Sequence, residues 1–327
     1  MHAPEVTECM KHNAKALDVV SDEVDEVNVL KLKATAAAAN TSQAKAEADA
    51  AAVAAALAFD QQSKFDAGKD KANFRQYEEA CDRVKEFYAE QHRKQTLEYN
   101  TRIRNEFKNT VRARMSIWEA MEMLNTLIDE SDPDTSVGQI EHLLQTAEAI
   151  RRDGKPDWMQ VTGLIHDLGK LLCFFGADGQ WDVVGDTFVV GCKFSDKIIY
   201  PETFKMNPDS YDEKIMTENG IYEPGCGLDN VMLSWGHDEY LADICSRQSS
   251  LPKEAISMIR YHSFYPWHRE GAYRHLMGEG DEVQLRAVKA FNPYDLYSKS
   301  DDPPKIEELK PYYLNLINKF FPEEIEW

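Results

Sequence analysis

Residues 161–172 read VTGLIHDLGKLL. Val161, Leu164, Ile165, Leu168, Leu171 and Leu172 recur at three- and four-residue spacings, which predicts a well-buried helix. Asp157 with Gln160 offers a capping box in front of it. In the middle of this apolar run stand His166 and Asp167. Neighbouring residues on a helix project about 100° apart, so both reach one ion only if it lies against the edge between them. An ionisable pair set among aliphatic side chains carries a desolvation cost that something must offset. A bound cation is the simplest answer, and a His–Asp hydrogen bond at a partly wet helix edge is the other.

Outward from this helix, Ser136 with Gln139 makes a second capping box, followed by a stripe of Ile140, Leu143, Leu144, Ala147 and Ile150. Residues 116–128 and 74–107 also carry helical periodicity. Helices are expected again over 228–246, over 251–262 with Pro252 at the first helical position, and over 282–290. A last one is expected to open at Pro311. Residues 176–230 are rich in Gly, Pro, Asp and Asn and read as long loops, with a strand pair around 188–190 and 198–200. The class is all-α: a helical bundle with loop-rich insertions and one small strand pair.

Residues 1–70 differ from the rest. The segment 32–59 is rich in alanine and short of bulky apolar residues, so it gains little by docking. The expected division is an acidic, low-complexity tail over 1–70, disordered or marginally helical, and a catalytic domain over 71–327. A core of about 250 residues suits a single domain.

The chain has 327 residues, 43% hydrophobic and 29% charged, with a formal net charge of −20. That charge disfavours nucleic acid as a partner. No run reaches the roughly 18 apolar residues of a membrane span, and no secretory signal is visible. Cys9, Cys81, Cys173, Cys192, Cys226 and Cys245 form no CxxC pair, so free thiols in a reducing, cytoplasmic setting are expected.

Three further histidines fall in or beside expected helices: His142 next to Leu143, His237 in SWGHDEY (234–240), and His262 at the end of its helix. Each alone reads equally well as a core histidine. Together with His166 and Asp167 they are a familiar way to build a metal site inside a bundle. The mixture of imidazole and carboxylate suits iron, manganese or zinc. On the dipeptide alone, an HD-type metal-dependent phosphohydrolase is the first reading.

The surroundings are more specific. Segments 116–134 (SIWEAMEMLNTLIDESDPD), 161–172, 181–191 (WDVVGDTFVVG), 233–240 (LSWGHDEY), 259–268 (IRYHSFYPWH) and 291–298 (FNPYDLYS) together resemble the myo-inositol oxygenase family, in the family's order, over roughly 74–327. The resemblance implies an HD-domain-like helical fold around two non-haem iron ions per chain, Fe(II)/Fe(III). One iron would be held by His142, His166, Asp167 and Asp295, and the second by Asp167, His237 and His262, with Asp167 bridging. Asp295 comes from the resemblance alone; by itself it reads equally well as a surface helix-start residue.

The resemblance also implies that Lys170 and Asp167 act in catalysis, and that Arg75, Asp129, Lys170, Gly185, Asp186, His262, Ser263 and Lys299 bind substrate. Lys170 lies three residues from Asp167 and four from His166, so on a helix it shares their face; alone, it also reads as a snorkelling surface lysine. The implied reaction is ring cleavage of myo-inositol by dioxygen to D-glucuronate and water, in a monomer without nucleic-acid or membrane partners. The phosphohydrolase reading calls for several Lys or Arg side chains facing an anionic phosphate, whereas Asp129 and Asp186 suit hydroxyls. A catalytically idle binding module is disfavoured because every matched position is chemically competent.

Overall fold

The computed structural model describes residues 59, 63, 65–66, 82–108, 110–129, 131, 138–298 and 304–327. The alanine-rich segment before residue 59, Arg75, Ser136 and Lys299 lie outside the described residues. The expected helix over 74–107 is two helices among those described, α1 (Asp82–Lys94) and α2 (Leu97–Phe107). Thr96 separates them and caps the second, its hydroxyl accepting from Tyr99 N at 3.1 Å.

Strand β1 (Arg114–Met115) follows, then α3 (Ile117–Leu124), which opens on a full capping box between Ser116 and Glu119. Next come α4 (Gln139–Arg152) and α5 (Asp157–Ile165), joined by a tight turn and packed together. Both expected capping boxes are misplaced. The N-cap of α4 is Gly138, whose N–H donates to Glu141 at 3.3 Å. That of α5 is Pro156, so Asp157 is already inside the helix, where its charge suits the positive end of the dipole.

A short 3₁₀ helix over Leu168–Phe174 follows α5, and irregular segments then run to α6 (His237–Gln248) and α7 (Lys253–Tyr261). Pro252 is the N-cap of α7 rather than its first residue. After the single-turn α8 (Tyr265–His268), α9 (Asp281–Tyr297) runs well past the expected end and through Pro293. Helix α10 (Ile306–Ile317) likewise contains Pro311 instead of opening on it. Strand β2 (Ile325–Glu326) pairs antiparallel with β1, Arg114 opposite Glu326 and Met115 opposite Ile325.

The expected strand pair is therefore corrected. Residues 188–190 do pair, but with 232–234: Val190 N donates to Met232 O at 3.0 Å and Ser234 N to Phe188 O at 2.7 Å. Ile198 instead packs with Phe188, Phe194 and Phe204 in a small apolar cluster. The apolar pattern records burial, and burial was met by side-chain packing rather than by a ladder. The main core joins α1–α7 to α10 and closes on Trp327, whose N–H donates to Ala113 O at 2.9 Å. The protein is mainly helical, and no helix among the described residues is long and apolar enough to cross a membrane.

His92 shows what this core costs in acid. It is fully buried, stacked on Phe204 with ring centroids 4.0 Å apart, and its Nδ1 lies 2.6 Å from Thr203 Oγ1. The Thr203 hydroxyl donates to Tyr200 O, so the imidazole carries its proton on Nδ1. Burial lowers its pKa to about 3. Between about pH 6.5 and 3 the unfolded chain binds a proton at this residue that the folded chain does not. This group therefore removes stability as pH falls, by about 1 kcal/mol per unit. His92→Phe should flatten the acid limb of urea-unfolding free energy by that amount, and a slope equal to wild type would contradict it.

Candidate metal centre

Helix α5 ends at Ile165, so the expected unbroken helix through His166 and Asp167 is interrupted where the chemistry sits. His166 is the C-cap, and the chain tightens into the 3₁₀ turn after Asp167. In that geometry side chains three apart eclipse one another. Lys170 N donates to Asp167 O at 3.0 Å, and the Lys170 ammonium lies directly on the Asp167 carboxylate, Nζ to Oδ2 2.9 Å. Its other partner is Asp129 Oδ2 at 2.8 Å. Lys170 is buried, which rules out the surface-lysine reading.

Two histidine pairs flank Asp167. Asp167 Oδ2 faces His142 Nε2 and His166 Nε2 at 3.8 and 3.7 Å, while Oδ1 faces His237 Nε2 and His262 Nε2, both at 3.5 Å. Asp295 completes the first group, its Oδ1 lying 3.1 Å from His142 Nε2 and 3.2 Å from His166 Nε2. It projects from the last turns of α9, one turn beyond Phe291, whose ring packs edge-on to His166. Asp295 is thus a buried helical residue and not a surface helix start.

Backbone contacts set the tautomers. The Nδ1 atoms of His166, His237 and His262 meet the carbonyls of Gly163, Val183 and Ile259 at 2.9, 2.7 and 2.8 Å. A carbonyl only accepts, so each Nδ1 is the donor and each Nε2 turns its lone pair inward. His237 Nε2 and His262 Nε2 stand 3.2 Å apart beside Asp167 Oδ1. Converging lone pairs and carboxylate oxygens repel unless a positive charge lies among them. The ligand atoms of His142, His166 and Asp167, and those of Asp167, His237 and His262, each fall within 4.8 Å of one another. The donor set fits two ions sharing one carboxylate, with the nitrogen–oxygen mixture of iron, manganese or zinc.

The electrostatics agree. Burial alone would raise the Asp167 carboxyl, but the Lys170 ammonium and the imidazoles, His166 foremost, hold it well below the usual carboxylate range. Asp295 is held down against burial in the same way by His166 and His142. Burial would lower His262, yet the carboxylates of Asp238 and Asp167 push it up to about 9. The site favours positive charge. A proton supplies it when no metal does, so metal binding competes with protons here.

The polar lining continues around both groups. Ser263 Oγ lies 3.3 Å from His237 Nε2, and Ser263 O accepts from Thr187 N at 3.0 Å, which brings the Gly185–Asp186 turn alongside. Gly185 has φ +92°, and a Cβ there would meet Phe87 Cε1 at 2.8 Å. Tyr88 OH donates to Asp186 Oδ1 at 3.4 Å, and Gln91 Nε2 reaches Val184 O at 3.1 Å. Asp129 Oδ1 accepts from Ser131 N at 2.9 Å and Ser131 Oγ at 2.6 Å. The structure thus gathers Asp129, Lys170, Asp167, Asp295, the four histidines and Ser263 in one set, with Asp186 beside it.

The sequence profile of the family described as Myo-inositol oxygenase matches residues 81–327. The chain belongs to the myo-inositol oxygenase family. The inositol oxygenase of Dictyostelium discoideum is 51% identical over 270 residues, 80% of this chain and 92% of that protein. Inositol oxygenase 1 of Arabidopsis thaliana is 50% identical over 261 residues, covering 78% and 84%. The inositol oxygenase of Danio rerio is 46% identical over 264 residues, covering 79% and 95%.

Several residues of this myo-inositol oxygenase family member went unread in the sequence. Glu239 anchors the start of α6 between Arg104, at 3.0 Å, and Arg260, at 2.5 Å. Gly169 was passed over although it sits inside the decisive segment. A Cβ on it would lie 2.6 Å from the carbonyl carbon and 2.8 Å from the Cα of His237. Only glycine lets the Asp167 turn touch the backbone that carries His237. Gly169→Ala should therefore destabilise the fold by about 1–3 kcal/mol or more and weaken metal binding at the His237–His262 side. Thermal melting and metal content like wild type would refute this.

Proposed function

We propose that this protein is an inositol oxygenase that cleaves myo-inositol with dioxygen to D-glucuronate and water at a mixed-valent di-iron centre. The observation that carries the reading is the Asp167 carboxylate, each oxygen turned to a different histidine pair, in a chain of this family. His142, His166, Asp167 and Asp295 would hold one iron, and Asp167, His237 and His262 the other. Iron bound there would supply Lewis acidity and a relay for the electrons that pass from inositol to dioxygen.

The residues themselves do the rest. The Lys170 ammonium, kept charged by Asp129 and Asp167 against the effect of burial, donates to a ring hydroxyl and stabilises it as an alkoxide. Asp186 and Asp129 accept hydroxyl protons and orient the ring, Ser263 and His262 border it, and the family's pattern adds Arg75 and Lys299. Carboxylates around the ligand suit a neutral polyol better than a phosphate ester, which disfavours the phosphohydrolase. Residues 71–327 would form the catalytic domain, on which Phe65, from the segment before it, stacks against Tyr294 with ring centroids 5.2 Å apart. All six metal-binding side chains lie on one chain, which suits a monomer. Cys173, Cys192, Cys226 and Cys245 are free thiols, as suits the cytoplasm.

Incubating iron-loaded protein with myo-inositol under air, beside a panel of phosphate esters with manganese, tests the activity. Glucuronate is expected, and phosphate release in its place would overturn the reading. Protein expressed with ample iron should contain close to two irons per chain, magnetically coupled. Full activity with stoichiometric zinc alone would contradict that.

A further inference from the structure

Asp238, the residue after His237, has no part in the assignments above, yet it is fully buried. Its Oδ1 lies 2.7 Å from His237 Nε2 and 3.4 Å from His262 Nε2. The same Oδ1 accepts from Ser263 Oγ at 3.3 Å, and Oδ2 accepts from Ser263 N at 3.3 Å. No lysine or arginine pairs with it among the described residues, so the usual compensation for a buried carboxylate is missing. Ser263 supplies two donors, and the inward nitrogen edges of the two imidazoles compensate the carboxylate only when a proton or a metal ion lies among them.

The two sides of the centre then match. Each histidine pair shares Asp167, and each has one carboxylate of its own: Asp295 at 3.1 and 3.2 Å on the first side, Asp238 at 2.7 and 3.4 Å on the second. The match has one difference. Asp238 also grips Ser263 through both its hydroxyl and its amide, and so ties a residue of the polar lining to the second histidine pair. We propose that Asp238 is a positioning residue of the reaction centre: its buried carboxylate holds Ser263 in place beside the second histidine pair. The inference rests on the di-iron reading and deepens it. Sequence reading gave Asp238 no role, because the expected helix over 228–246 put it mid-helix, away from any recognisable site.

The test uses the iron-loaded full chain. Wild type is measured first: fewer than two irons per chain and no inositol turnover would sink the di-iron reading, and this inference with it. If wild type holds two irons, Asp238→Asn keeps the shape and removes the charge. Challenge with a ferrous chelator should then show biphasic release, the first iron leaving at the wild-type rate and the second at least about tenfold faster, as for loss of an outer partner of a metal ligand. The Mössbauer signal of one iron should change while the other is kept, KM for inositol should rise more than kcat falls, and Asp238→Glu should recover part of the slow release. Wild-type release kinetics, spectrum and KM in Asp238→Asn would overturn the inference while leaving the di-iron reading intact. Should Asp238→Asn fail to fold, Ser263→Ala gives the answer by the same chelator assay: faster release of one iron supports the link, and a wild-type rate refutes it.

Discussion

Asp167→Asn is expected to cost both irons and to reduce inositol turnover by well over the roughly 100-fold seen when only an outer partner of a metal ligand is lost. The shared carboxylate is the reason. His142, His166 and Asp295 touch one side of the centre and His237 with His262 the other, whereas Asp167 faces both, with one oxygen each. An asparagine keeps the shape but offers only one acceptor oxygen and no charge. It also takes from the Lys170 ammonium one of its two carboxylate partners. His142→Ala, by contrast, should impair one iron and largely spare the other. Metal analysis of the two variants side by side decides the matter. An Asp167→Asn protein that still binds two irons would remove the basis for a bridge.

Lys170→Ala should keep both irons and lose at least about tenfold in catalytic efficiency. A charge-assisted hydrogen bond in a buried site contributes roughly 1.5–3 kcal/mol, and this one strengthens as a hydroxyl becomes an alkoxide. The ammonium sits between Asp129 at 2.8 Å and Asp167 at 2.9 Å, beside the metal ligands but not among them. Lys170→Arg should rescue poorly, because the planar guanidinium does not fit a place shaped for a compact ammonium. Iron per chain and steady-state inositol oxidation separate the cases. Normal efficiency refutes the substrate role, and lost iron shows that the ammonium chiefly holds Asp167 in place.

How much was legible depended on whether a feature is local. The apolar spacing of residues 161–172 and 140–150 is a one-dimensional record of a buried helix face, so α4 and α5 were readable, although both expected capping boxes fell beside the true helix starts. Helix ends were read less well. Pro293 and Pro311 look like breakers, yet packing carries α9 and α10 through them. The 188–190 strand was seen and its partner missed, because alternation reports that a segment is buried and not what lies beside it.

The sequence by itself determined the chemistry available: a His-Asp pair in an apolar run, three more histidines, and an ordered set of segments resembling one family. It also pointed to burial around His142 and His166, which stand beside Leu143, Leu144, Leu164, Ile165 and Leu168. Only the tertiary structure decided which atoms meet. The tightening of the chain at His166, the close approach at Gly169, the turn of Asp167 between two histidine pairs, and the position of Asp238 beside His237 and His262 all depend on α4, α5, α6, α7 and α9 packing together. Those helices come from segments up to about 150 residues apart, as His142 and Asp295 are. Local propensity cannot encode such contacts, because the free energy that selects them is collective and arises only when the whole core closes.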